Sequence, residues 1–285
     1  MGLDFKTAEF LLSEAERKVS FQRLLVLGRQ NVTMTPFEIA KVKELTGITL
    51  RPSGFADEFF RALGATDLSF LDRSAYEGAE VLLDLNQPLP PQYHARFDAV
   101  IDGGTLEHIF NFPAALKSCM EALALGGRLM SFTPADGLMG HGFFQFSPEL
   151  FFRACGSANG FEVERMLIWY LRSWYEARDP ARVGHRVEAS MGGPATLCVT
   201  ARRCEIKAIF SEWPIQSDYA TPRPSVVVEV NPKLNWKDHL IGRVKVLSEL
   251  QSRWRIYKGL RARRLSNTSS FRGLGETLLS RRTRA

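Results

Sequence analysis

Phe97-Asp98-Ala99-Val100-Ile101-Asp102-Gly103-Gly104-Thr105-Leu106-Glu107-His108-Ile109-Phe110-Asn111-Phe112 is the stretch on which the fold turns. An apolar run is interrupted by Asp102, two glycines and then Glu107 and His108. It reads as a buried strand whose carboxyl end opens into a loop carrying acid and base side chains. In an open α/β sheet, that edge is where ligands bind.

Upstream of it, Phe5, Ala8, Leu11, Leu12 and Ala15 recur at helical spacing, so an amphipathic helix leads into a first strand over residues 24–27 that ends at Gly28. Thr35-Pro36-Phe37-Glu38 has the form of a helix start: a threonine cap, proline in the first turn and a glutamate three residues on. That helix is expected to stop at Gly47. A short helix over residues 57–63, a strand near residues 68–71 ending at Asp72, and a strand over residues 81–85 follow. Pro88, Pro90 and Pro91 end the last of these, because proline cannot donate to a ladder.

Downstream, residues 113–125 read as a helix closed by Gly126-Gly127, residues 128–132 as the fifth strand and residues 148–155 as a further helix. Residues 161–170 and 195–203 supply a sixth and a seventh strand, the last closing a sheet edge. Strands alternating with helices predict a mostly parallel, seven-stranded, Rossmann-like α/β sheet with helices on both faces. Four prolines, Pro214, Pro222, Pro224 and Pro232, mark residues 206–235 as a linker or wrapping arm, with a small strand-like run at 226–230. Residues 236–265 have an apolar helical period interleaved with Lys and Arg, and residues 266–285 have the composition of a disordered tail.

A hydrophobic share of 45% and a charged share of 24% over 285 residues are ordinary for a globular chain. No apolar run approaches the roughly 18 residues of a membrane span. Acidic residues Asp4, Glu9, Glu14 and Glu16 between Met1 and Lys18 are unlike a secretory signal, so a cytoplasmic protein is expected. Cys119, Cys155, Cys198 and Cys204 have no metal-ligand spacing and read as free thiols; no metal is expected. The net charge of +6 is uneven. Residues 206–285 hold 16 Lys/Arg against 6 Asp/Glu, a net of +10, leaving 21 against 25, a net of −4, for residues 1–205. The basic segment suits docking on its own domain, a homo-oligomer contact or a peripheral contact with an anionic membrane; nucleic acid is the weaker fit, for want of a motif.

Residues 97–130, FDAVIDGGTLEHIFNFPAALKSCMEALALGGRLM, resemble the fourth strand, following helix and fifth strand of the class I S-adenosylmethionine-dependent methyltransferases. Asp72, Asp84 and Gly160-Phe161 add weaker matches, and the resemblance spans residues 23 to about 203. It implies S-adenosyl-L-methionine as cofactor, with Asp72 accepting from the ribose hydroxyls and Asp84 and Leu85 flanking the adenine. It also sets Asp102, Gly103 and Glu107 at the rim of the donor pocket. A carboxylate can accept from both hydroxyls of a vicinal diol, which agrees with the first role. The first strand departs from the family pattern. Where a run of glycines is usual, Leu27-Gly28-Arg29-Gln30-Asn31 keeps Gly28 alone, which fits either a rearranged pocket or a lost one. Arg29 and Asn31 are then candidates to meet a carboxylate on the cofactor.

Methyl transfer to oxygen requires loss of a proton, and His108 and His141 are the candidate bases, with Glu107 as an alternative base or the ligand of the cofactor's amine. His141 belongs to Gly140-His141-Gly142-Phe143-Phe144-Gln145-Phe146, a glycine-hinged aromatic segment in which Phe143 and Gln145 are candidate substrate contacts. Arg172 and Trp174, between the sixth and seventh strands, suit a hydroxylated or anionic acceptor such as a sugar, and equally a solvated loop. The resemblance therefore implies an O-methyltransferase of a small molecule or glycan. The competing expectation is a non-catalytic scaffold with a degenerate cofactor loop, working through its basic C-terminal region.

Overall fold

The fold is that of a computed structural model, which describes residues 2–187, 189, 191–220, 254 and 270–279. Helices α1 (Phe5–Glu16), α2 (Pro36–Thr46), α3 (Asp57–Ala62), α4 (Phe112–Ala122) and α5 (Pro148–Ala154) surround one sheet. Its strands are β1 (Arg23–Leu27), β2 (Asp67–Asp72), β3 (Val81–Leu82), β4 (Phe97–Asp102), β5 (Leu123–Asp136), β6 (Phe161–Tyr170), β7 (Ser173–Ala177), β8 (Ala195–Arg203) and β9 (Phe271–Gly275). They lie in the order β3-β2-β1-β4-β5-β8-β6-β7-β9, and β8 and β7 run against the other seven. The order 3-2-1-4-5 is that of the doubly wound nucleotide-binding fold, with crossover helices on both faces.

The continuous apolar run of β1 follows from burial on both faces. Successive side chains of a strand point oppositely, so Leu25 and Leu27 join the core under α4 and α5 while Leu24 and Val26 join the core under α1, α2 and α3. The capping box at Thr35 forms: Glu38 N–H donates to the Thr35 hydroxyl and the Glu38 carboxylate accepts from the Thr35 N–H at 2.8 Å. Thr35→Ala is expected to cost about 1 kcal/mol of stability, read as a shift in the urea midpoint.

Several expectations are corrected. The sheet has nine strands among the described residues, not seven. The strand at 195–203 does not close an edge; β8 is inserted between β5 and β6, and its antiparallel ladders bury nearly every residue on it. Helix α4 ends at Ala122 rather than at the glycine pair, because β5 begins at Leu123 and Gly126-Gly127 lie within it. A Cβ on Gly127 would sit 3.0 Å from the Phe97 carbonyl and 3.1 Å from that of Asp98, so this close approach to β4 explains the glycine. Strand β3 has two residues, Val81 and Leu82, paired in parallel with Leu71 and Asp72. Residues 173–177, expected to lie between strands, form β7, and residues 271–275 of the expected tail form β9 beside it. The 226–230 strand and the 236–265 basic helix, Trp254 apart, lie outside the described residues.

The half of the sheet without parallel crossovers is closed by α1. Phe10 meets Phe132 edge-on at 5.1 Å and lies 6.1 Å from Trp174, whose indole meets that of Trp169 at 4.8 Å with the rings tilted by 54°. Two buried acids tie the helix down. Glu9 accepts from the Trp174 indole N–H at 3.1 Å, the Thr277 hydroxyl and the Leu278 N–H, and Glu14 pairs with Arg165 at 2.5 Å. Among the described residues no helix is long and apolar enough to cross a membrane.

Candidate functional site

At the carboxyl ends of β1, β2 and β4 the chain leaves the sheet in three adjoining loops. Gly28 adopts a left-handed backbone, φ 68°, and a Cβ there would lie 3.7 Å from Thr105 Oγ1 and 3.9 Å from Asp72 Oδ2. The Thr105 hydroxyl donates to the Leu27 carbonyl at 3.1 Å, and Gly28 N–H donates to the Leu71 carbonyl at 2.8 Å. Asp72 therefore ends its strand facing Gly28, with Oδ1 accepting from the Ser74 N–H. This is the sheet edge at which doubly wound folds bind ligands.

Gln30 is the least expected member of this edge. Its side chain is buried, its amide oxygen and nitrogen both lack a hydrogen-bond partner, and it lies over Gly103, where a Cβ would fall 1.6 Å from Gln30 Nε2. An unsatisfied buried amide is costly and offers a donor and an acceptor to a ligand. Sequence reading passed over Gln30, whose only signal was its position two residues beyond Gly28. Arg29 points elsewhere: its guanidinium pairs with Asp57 at 2.7 Å, donates to the Glu77 carbonyl and stacks on Phe55 at 4.1 Å. Asp84 accepts from the Asn86 backbone and side-chain N–H groups, which hold its carboxyl below the usual carboxylate range, while Leu85 is core.

Asp102 has an internal task. Its buried Oδ1 accepts from the N–H groups of Gly104, Thr105 and Leu106 at 3.2, 2.8 and 3.2 Å, and Oδ2 accepts from the Ser131 hydroxyl at 2.6 Å. Burial pushes its pKa up, against these hydrogen bonds. The result is a rigid turn that delivers Leu106–His108 at the sheet rim.

There Glu107, His108 and His141 converge. The Glu107 side chain is fully buried, and neither carboxylate oxygen has a hydrogen-bond partner. His141 Nε2 lies 3.5 Å and His108 Nε2 3.9 Å from Glu107 Oε1, and the two imidazoles meet edge-on at 5.2 Å. Burial, then the charge of Asp102, pushes the Glu107 carboxyl up to about 8. Burial and the neighbouring His141 lower the pKa of His108. Both imidazoles remain accessible from outside, His108 at 46% and His141 at 38% of the side chain.

The loop after β5 brings His141 in. Phe143 N–H donates to the Glu107 carbonyl at 2.8 Å, and the Gln145 side-chain oxygen accepts from the Leu138 N–H at 3.1 Å, so Gln145 closes the loop. Gly142 makes the approach possible. Its φ is 85°, and a Cβ would lie 2.8 Å from the Glu107 carbonyl oxygen. Gly142→Ala is expected to cost about 1–3 kcal/mol and to push His141 away from Glu107, checked by thermal unfolding and by the histidine ring signals in NMR. Beside the cluster Phe110 and Phe143 meet edge-on at 5.7 Å while remaining 75% and 66% exposed. Large exposed rings at a polar rim mark a ligand surface.

The remaining expected contacts are not brought here. Arg172 is exposed in the β6–β7 turn, and Trp174 is fully buried against Phe10 and Trp169. A surface cleft of about 840 Å³, lined by Arg153, Glu164, Arg165, Arg178 and Lys207, sits at the amino half of β6, on the opposite side of the sheet's length from the cluster. Its Arg153 and Arg165 are paired with Asp179 and Glu14.

No family model matches the sequence, and no curated protein matches it. Among solved structures, the chain is similar to an S-adenosylmethionine-dependent methyltransferase from Mesorhizobium loti, at 17% identity over 69% of this chain and 98% of that one, with a TM-score of 0.35. It is similar also to the 1,6-didemethyltoxoflavin-N1-methyltransferase of Burkholderia thailandensis with bound S-adenosylhomocysteine (14% identity, 70% and 81% covered, TM-score 0.37). A third likeness is to the branched-chain polyamine synthase of Thermus thermophilus (13% identity, 74% and 60% covered, TM-score 0.37). At these identities the likeness concerns the fold alone.

Proposed function

We propose that this protein is an S-adenosylmethionine-dependent methyltransferase that methylates a hydroxyl of a small molecule or sugar. The observation that carries the reading is the adjacency, along one sheet edge, of two kinds of group. One is the junction of Gly28, Asp72 and Thr105 where the β1, β2 and β4 loops adjoin; the other is the cluster of Glu107, His108 and His141. Asp72 is the acceptor for the ribose hydroxyls, and Asp84 and Leu85 border the adenine. The unpartnered Gln30 amide beside Gly103 is the group best suited to the amino acid end of the cofactor, in the role that Arg29 would have had.

Methyl transfer is an in-line displacement at a sulfonium carbon, so alignment and exclusion of water supply most of the catalysis. The cluster's part is to promote loss of the acceptor's proton as the oxygen attacks. Phe110 and Phe143 favour an acceptor with an apolar face next to its hydroxyl, such as a sugar ring or an aromatic ring.

Titration calorimetry with S-adenosylhomocysteine tests the reading. One site per chain is expected, with affinity about 10–100-fold weaker in Asp72→Ala, the equivalent of one or two lost hydrogen bonds to a charged group. His141→Ala is expected to leave that affinity unchanged. No heat and no thermal shift at millimolar ligand would sink the proposal in favour of a non-catalytic scaffold.

A further inference from the structure

We propose that Glu107, His108 and His141 form a binding site for one divalent transition-metal ion of the zinc class. One ligand atom from each of the three lies within 4.8 Å of the other two. In a tetrahedral site with bonds of about 2.1 Å the ligand atoms stand about 3.4 Å apart, so the Glu107–His141 separation of 3.5 Å already matches. His108, at 3.9 Å from the same oxygen and nearly half exposed, is free to close the remainder.

The polar bookkeeping points the same way. A fully buried carboxyl group with neither oxygen hydrogen-bonded is costly in a protein interior, and the buried Nε2 of His141 lacks a partner too. All three are lone-pair donors turned toward one another, so a cation satisfies them together where another side-chain donor would satisfy one. Two imidazoles and a carboxylate suit zinc, iron, cobalt or nickel rather than magnesium or calcium, which prefer all-oxygen shells. The frame around them is stiff. Asp102 fixes the turn carrying Glu107 and His108, and the Phe143 N–H pins the loop of His141 to the Glu107 carbonyl.

Three protein ligands leave a coordination position open on the exposed side of the imidazoles, as catalytic rather than structural sites do. The use of that position rests on the methyl-transfer reading. The acceptor hydroxyl occupies it, and the ion lowers the hydroxyl pKa, so its proton passes to solvent water. The oxygen then forms its bond to the methyl carbon while the carbon–sulfur bond breaks and its electron pair returns to sulfur. Both imidazoles act as ligands, and neither has to serve as the base.

The test uses full-length protein stripped with a chelator and titrated with Zn²⁺ alone, with bound metal counted by elemental analysis. One ion per chain is expected, and the Co²⁺ form should show the visible absorption of a nitrogen- and oxygen-ligated site. His141→Ala and Glu107→Gln should each weaken Zn²⁺ binding more than about 100-fold, beyond the loss typical of outer-shell changes. Should Glu107→Gln fail to fold, the Co²⁺ spectrum of the unaltered chain and the accessible His141→Ala variant still decide. Zinc binding absent, or equally tight in His141→Ala, would overturn the site. S-adenosylhomocysteine is titrated separately. A chain that binds zinc but not that nucleoside keeps the metal site and loses the methyltransferase reading; the converse result overturns the metal site alone.

Discussion

Asp102→Ala is expected to lower the unfolding free energy by about 4 kcal/mol, because four donors lose one buried acceptor group. The N–H groups of Gly104 and Leu106 are buried and lose their acceptor, and the buried Ser131 hydroxyl on β5 loses its partner on β4. Asp102→Asn separates geometry from charge. Its side-chain oxygen can still take the three N–H groups, and its amide can donate to Ser131, so a cost of about 1 kcal/mol is expected. Urea unfolding of the two variants side by side is the measurement. Equal losses would mean that charge, not the turn, is what Asp102 supplies. Because Asp102 takes three N–H groups of this turn, the alanine variant is also expected to lose Zn²⁺ affinity along with stability, since Glu107 and His108 follow directly on it.

The sheet's central strands were legible because their physics is local. An apolar run buried on both faces and ended by glycine or aspartate marks β1 and β4, and the Thr35–Glu38 capping box is written in four residues. The cluster was half legible. Glu107 and His108 stand together in the chain and His141 was singled out by its glycines, but nothing local reveals that Phe143 N–H clasps Glu107 or that a carboxylate lacks partners. The three groups have no metal-ligand spacing along the chain because they meet across two loops. Gln30 escaped notice because an amide in a polar loop has no pattern, and its meaning comes from lying on Gly103. The basic C-terminal half of the expectation lies outside the described residues, apart from β9 and Trp254.

Misreadings cluster where pairing is long-range. Gly126-Gly127 was read as a helix stop because glycine pairs usually end helices, yet close approach to the Phe97 and Asp98 carbonyls is what requires glycine there. The β6–β7 hairpin turns on Leu171 and Arg172, both with positive φ and neither a glycine, so no turn signal announced it. Its outer partner β9 lies about a hundred residues away in the chain, with Trp174 opposite Gly275. An aromatic and arginine-rich stretch in a supposed loop then looked like a substrate surface.

Trp174 gives that correction a measurable form. Trp174→Ala should cost about 3–5 kcal/mol, the range for deleting a large buried aromatic side chain. It removes the packing on Phe10 and Trp169 and leaves the buried Glu9 Oε2 without the indole N–H. Trp174→Phe keeps most of the volume and loses the donor, for a cost of about 1–3 kcal/mol. Below the melting temperature of each variant, S-adenosylhomocysteine and Zn²⁺ affinities should match those of the unaltered chain, because Trp174 faces α1 and the cluster stands at the β4 and β5 ends. A variant that kept its stability but lost ligand affinity would return Trp174 to the binding surface. Lost stability with retained affinity assigns the indole to the clasp between α1, β7 and the β9 segment, where Glu9 also accepts from Thr277 and Leu278.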